Sequence, residues 1–91
     1  MREPAPYDVV VSKAGHDAGK LFVVVGTREG RLLLCDGKNR RLERPKCKSS
    51  KHVRTVRSGA SAPAGDREIR ETIALAAQEA AAKEEMLLGK G

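Results

Sequence analysis

The chain has no tryptophan, one phenylalanine and one tyrosine among its 91 residues. A core must therefore be assembled from Val, Leu, Ile and Ala, and the aromatic platforms on which single-stranded nucleic acid stacks are nearly absent. No stretch approaches the ~20 consecutive apolar residues that cross a bilayer, and residues 1–8 lack the order of charge and apolarity of a signal peptide. A cytoplasmic protein with no membrane partner is expected. Cysteine is scarce: Cys35 and Cys47 stand twelve positions apart, and in a cytoplasmic chain reduced thiols are favoured over a disulfide. A metal site would have to add His52 or His16, and this set lacks the close ligand pairs of structural zinc sites, so no metal or other cofactor is expected. Cys35 reads as a small buried hydrophobe at a strand end and Cys47 as an exposed thiol. The catalytic inventory is equally thin. There is no nucleophile motif, no carboxylate pair set to flank a cleft and no phosphate loop of the nucleotide-binding type, so neither enzymatic activity nor a small-molecule substrate is expected.

What is present is basic charge, unevenly placed. The formal net charge is +6. Residues 1–58 carry fourteen Lys or Arg against six Asp or Glu, and residues 59–91 carry four against six. The first segment is thus +8 and the second −2, a basic body with a mildly acidic tail, which points to polyanion binding by the body. The density peaks between Lys38 and Arg57, where Lys38, Arg40, Arg41, Arg44, Lys46, Lys48, Lys51, Arg54 and Arg57 face the single acid Glu43. Edge strands also use charge to resist aggregation, but a few residues suffice for that, whereas a phosphate-binding surface gains from each one added.

The pattern of apolar residues predicts a small β-domain over 1–57. Arg2 to Pro6 is an extended lead-in, and the alternation from Tyr7 to Ser12 predicts a first strand. Leu21 to Val25 and Leu32 to Cys35 are apolar on both faces, so each strand expects cover on both sides. Thr27 to Gly30 suggests a three-residue hairpin loop, and Asp36 to Asn39 a tight turn into a short strand at Arg40 to Glu43 that Pro45 ends. Lys46 to Ser50 reads as a loop, and His52 to Val56 as the last strand. Five short strands in about fifty residues suit a small, strongly bent barrel, because closure removes exposed edges.

Residues 58–65 are a linker by composition. Asp66 is a plausible N-cap for a helix over 66–88 that Gly89 stops, with Glu68 and Glu71 near the positive end of the dipole. Ile69, Ile73, Ala76, Ala80 and Leu87 form a thin apolar stripe, which either docks on the outer face of the two-faced strands or is left to solvent or a partner.

One run joins the first strand to the second through a glycine-pinned basic turn: Val11-Ser12-Lys13-Ala14-Gly15-His16-Asp17-Ala18-Gly19-Lys20-Leu21-Phe22-Val23-Val24-Val25-Gly26. This run resembles a KOW motif, the hairpin unit of small SH3-like barrels in ribosomal and transcription-elongation proteins. The similarity spans about Tyr7 to Val56 and is nearest to eukaryotic large-subunit ribosomal KOW proteins. The resemblance implies a mainly β, SH3-like barrel of about five strands with a C-terminal helix. It also implies a role in binding structured RNA, ribosomal RNA above all, with ribosomal proteins as further partners. Phosphate contacts carry over to Lys13 and Lys20, and a phosphate or ribose contact to His16. The turn has Ala14, Ala18 and Leu21 where the family often has lysine or glycine, which shifts the main basic density to Lys38 through Arg57. An alternative role for such barrels is as a protein-interaction module on transcription or translation machinery, and a further one is polyanion binding without a preferred target.

Overall fold

The computed structural model of the chain describes residues 4–59 and 61–88, the side chains of 83–88 excepted. Five strands, β1 (Val9–Ser12), β2 (Leu21–Arg28), β3 (Arg31–Cys35), β4 (Lys46–Lys48) and β5 (Val53–Arg57), precede one helix, α1 (Asp66–Leu88). Short 3-10 turns at Gly15–Asp17 and Ser50–His52 lie in the β1–β2 and β4–β5 connections. The strands form one antiparallel sheet in the order β4-β3-β2-β1-β5. The fold is therefore mainly β and barrel-like, with a C-terminal helix.

The two-faced strands explain the layering. On one face Val10, Phe22, Val24, Leu32, Leu34 and Val53 form the inner core. On the other, Val9, Val23 and Cys35 meet Ile69 and Ala76 of α1, with Tyr7, Leu21, Val25, Leu42 and Ile73 packed around them. The helix is the second cover that continuous apolar strands require. Ile69 is fully buried, which is worth roughly 1.5–3 kcal/mol relative to leaving it exposed. Beyond Ala76 the described side chains of α1 are exposed, including Ala80, because the stripe offers only alanine there. The side chain of Leu87, and Gly89 altogether, lie outside what is described. A register shift between Val24 and Gly26 of β2 against β3 bends the sheet in the manner of a bulge.

Several local expectations are corrected. The Arg40–Glu43 strand does not form, since the backbone there is committed to a loop. Asp36 Oδ1 accepts from the Lys38 and Arg40 amides, both at 2.8 Å. The amides of Asp36 and Gly37 donate to Arg40 O, and the Leu42 amide donates to Asp66 Oδ1 at 2.8 Å. The fourth strand is instead Lys46–Lys48, whose polar composition predicts a loop. Asp66 is the first helical residue and not the cap. Gly65 O accepts from Ile69 N, Glu68 Oε1 reaches back to the Ala64 amide at 3.0 Å, and the Asp66 carboxylate serves the β3–β4 loop. The β2–β3 hairpin has two loop residues: Arg28 pairs with Arg31, and Glu29 and Gly30 both take positive φ, 50° and 78°, the geometry that matches strand twist in a tight hairpin. Near the chain start, Asp8 binds the amides of Ala5 (3.0 Å) and Gly59 (3.2 Å), tying residue 59 to the strand it follows in space.

Candidate nucleic-acid interface

The register gathers three connections at one end of the sheet. Val11 pairs with Leu21 and Ser12 with Val53, so the β1–β2 turn and the start of β5 leave the sheet together. Val23 pairs with Cys35 and Leu34 with Lys46, which brings the β3–β4 loop to the same end. Hydrogen bonds fasten these connections to one another. The Lys13 amide donates to His52 O at 2.8 Å, joining the β1–β2 turn to the Ser50–His52 turn.

The β1–β2 turn closes on itself. The Gly19 amide donates to Ser12 O, Ser12 N to Lys20 O, and Lys20 N to Asp17 O, all within 2.9 Å. Gly15 and Gly19 have φ of 79° and 88°, a region open to glycine without a Cβ penalty.

Of the basic residues singled out from sequence, Lys46 and Lys48 are used internally. They alternate with exposed Cys47 on β4, and their register opposite Leu34 and Leu32 places them over the rim of the inner core. The Lys46 ammonium forms an ion pair with Asp17. The Lys48 ammonium donates to Ser12 Oγ at 2.7 Å and to Ala14 O at 3.1 Å, while Ser12 Oγ itself donates to Ala14 O at 3.1 Å. Two inward lysines on an edge strand thus latch β4 across to the β1–β2 turn and blunt that edge.

Apart from Arg57, which is half-buried on β5 and meets Glu79, the remaining cations face solvent. Lys13, Lys20, Lys38, Arg40, Arg41, Arg44, Lys51 and Arg54 are all exposed, as is His16. Among the described residues the acids at this end are Asp17, Asp36, Glu43 and Asp66, and three of them are occupied. Asp17 holds Lys46 and lies 3.9 Å from Lys20, Asp36 holds the loop amides, and Asp66 holds Leu42. The surface is consequently rich in uncommitted positive charge.

Sequence reasoning missed Arg70. Its Nη1 donates to Gly37 O at 2.7 Å, so a helix residue from the acidic segment joins the basic end. Gly37 permits this approach: it has φ of 80°, and a Cβ there would stand 2.6 Å from Asp66 O and 2.7 Å from Arg70 Cγ. The spacing Asp66, Ile69, Arg70, Ile73 carried the signal, since residues three and four apart share a helix face.

The cysteines occupy opposite environments. Cys35 is fully buried and Cys47 exposed. Burial, with smaller contributions from the Asp66 and Asp36 charges, pushes the Cys35 thiol up to about 11, and its Sγ donates to Arg41 O at 3.3 Å. Among the described residues no group of three or more His, Cys, Asp or Glu side chains could hold a metal ion, and no helix is long and apolar enough to cross a membrane. A comparison with protein-family models gave no match, and a comparison with curated proteins gave none of significance.

Proposed function

We propose that the chain is a non-catalytic RNA-binding module, cytoplasmic and associated with the ribosome, that neutralises the backbone of a structured RNA with the basic end of its barrel. The observation that carries this reading is the convergence of three loops bearing exposed Lys13, Lys20, Lys38, Arg40, Arg41, Arg44 and Lys51, with exposed Arg54 at the start of β5 beside them, while three of the four neighbouring acids serve loop amides or Lys46. Each phosphate contact releases counterions, so such a surface gains affinity with each exposed cation. Lys46 and Lys48 fix the shape of this end and contribute to the field without being free to reach a phosphate. The KOW resemblance supports ribosomal RNA of the large subunit as the target, with ribosomal proteins as neighbours.

A protein-interaction module would draw on the outer apolar face, and α1 already occupies that face, which favours the polyanion reading. Cross-linking and sequencing of bound RNA in cells, with sedimentation at low and high salt, tests it. Cross-links concentrated in large-subunit ribosomal RNA and salt-sensitive cosedimentation are expected. Sparse cross-links and salt-resistant sedimentation with a protein complex would overturn it in favour of the interaction module, and cross-links spread evenly over cellular RNA would reduce it to unselective polyanion binding.

A further inference from the structure

Where α1 meets the barrel, a groove of about 430 Å³ lies between the β1–β2 turn, the β3–β4 loop and the second turn of the helix. That volume falls within the range of about 300–1,000 Å³ typical of small-ligand sites. Its chemistry is divided. Leu21, Ile73 and Ala74 supply an apolar side, while Lys20, Lys38 and Arg70 bring positive charge to it, with the Asn39 amide among them. The acid of the groove, Asp36, is turned to the Lys38 and Arg40 amides.

We infer that this groove receives a single unpaired nucleotide of the bound RNA, a bulged or looped-out base seated against Leu21, Ile73 and Ala74 with its phosphates held by Lys20 and Lys38. The inference rests on the RNA-binding reading above and deepens it. An apolar floor gains nothing from a phosphate alone, and a cationic wall gains nothing from an aliphatic ligand; an extruded nucleotide satisfies both. Sequence-specific RNA recognition favours such splayed bases, stacked on aromatic rings or on Arg guanidinium planes. The single Phe of this chain is buried, so the planar group available in the groove is Arg70. Its hydrogen bond to Gly37 O fixes one edge of the guanidinium before any ligand arrives, which lowers the ordering cost of binding. Asn39 adds both a donor and an acceptor suited to a base edge. Charge complementarity selects RNA over an apolar peptide, and the size of the groove selects one nucleotide over a helix.

The test uses two hairpin RNAs, identical except that one carries a single-nucleotide bulge of 2-aminopurine, titrated with the full chain and with Ala74→Leu. Ala74 is exposed on the helix and both residues are good helix formers, so the larger side chain fills the groove without disturbing the fold; circular dichroism verifies the helix. The readout is the ratio of the two affinities. The wild-type chain is expected to prefer the bulged hairpin by at least about fivefold, the low end of what stacking one base on an aromatic ring contributes and here assigned to the Arg70 plane, with a change in 2-aminopurine emission. Ala74→Leu is expected to bring the ratio to about one and to abolish that change. Equal, salt-sensitive binding of both hairpins by the wild type would overturn the groove inference and leave the phosphate-binding reading standing. Failure to bind either hairpin would overturn both, and a preference unaltered by Ala74→Leu would place the bulge elsewhere and overturn the inference.

Discussion

At Lys48 a cation points inward, and the consequence is measurable separately from RNA binding. Its ammonium satisfies Ser12 Oγ and Ala14 O, and Ser12 is buried. Lys48→Met keeps the aliphatic stem but leaves buried Ser12 Oγ without its donor, Ala14 O retaining the Ser12 hydroxyl, so a loss of about 1–3 kcal/mol in urea unfolding is expected. Arg41→Ala, an exposed residue, should leave stability within about 0.5 kcal/mol and weaken RNA binding instead. A Lys48→Met variant as stable as the wild type would refute the latch. Cys35 makes a second residue-scale prediction. Its folded-state value of about 11 stands above the ordinary thiol value of 9.0, so between those two values the folded state binds more protons than the unfolded one. Stability is then expected to fall as pH rises from about 9 to about 11, and Cys35→Ala should remove that part of the slope. At neutral pH one thiol per chain, that of Cys47, should react with an alkylating reagent, and two after denaturation; two reacting in the native protein would contradict the burial of Cys35.

At the scale of elements, the junction of α1 with the β3–β4 loop is the most constrained point. Gly37→Ala meets both a positive φ and a 2.6 Å approach to Asp66 O, so it is expected to destabilise by more than about 1 kcal/mol and to loosen the helix, seen as faster amide exchange at Ile69 and Ile73. Ile69→Ala should cost about 2–5 kcal/mol. Glu29, at φ 50° in the hairpin turn, is the opposite case: Glu29→Asn suits that region better and should stabilise the chain by a few tenths to about 1 kcal/mol. These same elements mark where the sequence was legible. The first strand announced itself by alternation from Tyr7 to Ser12, and the next two by the apolar runs Leu21 to Val25 and Leu32 to Cys35, whose lack of alternation also implied two covers. The Lys46–Lys48 strand was hidden because its inward residues are lysines, whose stems cover apolar surface while the charge is met by distant partners. The loop at Arg40–Glu43 was hidden because its stability comes from Asp36 and Asp66, side chains four residues and twenty-four residues away from the amides they hold. Spacing could not reveal the latter.

For the whole molecule, the governing quantity is the asymmetry between a segment of +8 and one of −2. The helix lies along the sheet so that Glu79 meets β5, where Arg57 Nη1 lies 3.3 Å from Glu79 Oε2, a partly exposed ion pair of small energetic weight. Its near portion contributes Arg70 to the basic end. The cations of that end were legible as a run from Lys38 onward, but the division between exposed contacts and the internal Lys46 and Lys48 was a tertiary property. The central claim is that the exposed cations, acting together, bind an RNA backbone. The most direct test is the affinity of the full chain for a structured ribosomal RNA fragment across a range of salt, compared with an Arg40→Ala, Arg41→Ala double variant. The account predicts a steep linear fall of log K with log salt for the wild type, and a slope shallower by about one to two units in the variant. A slope unchanged by the double substitution would contradict it.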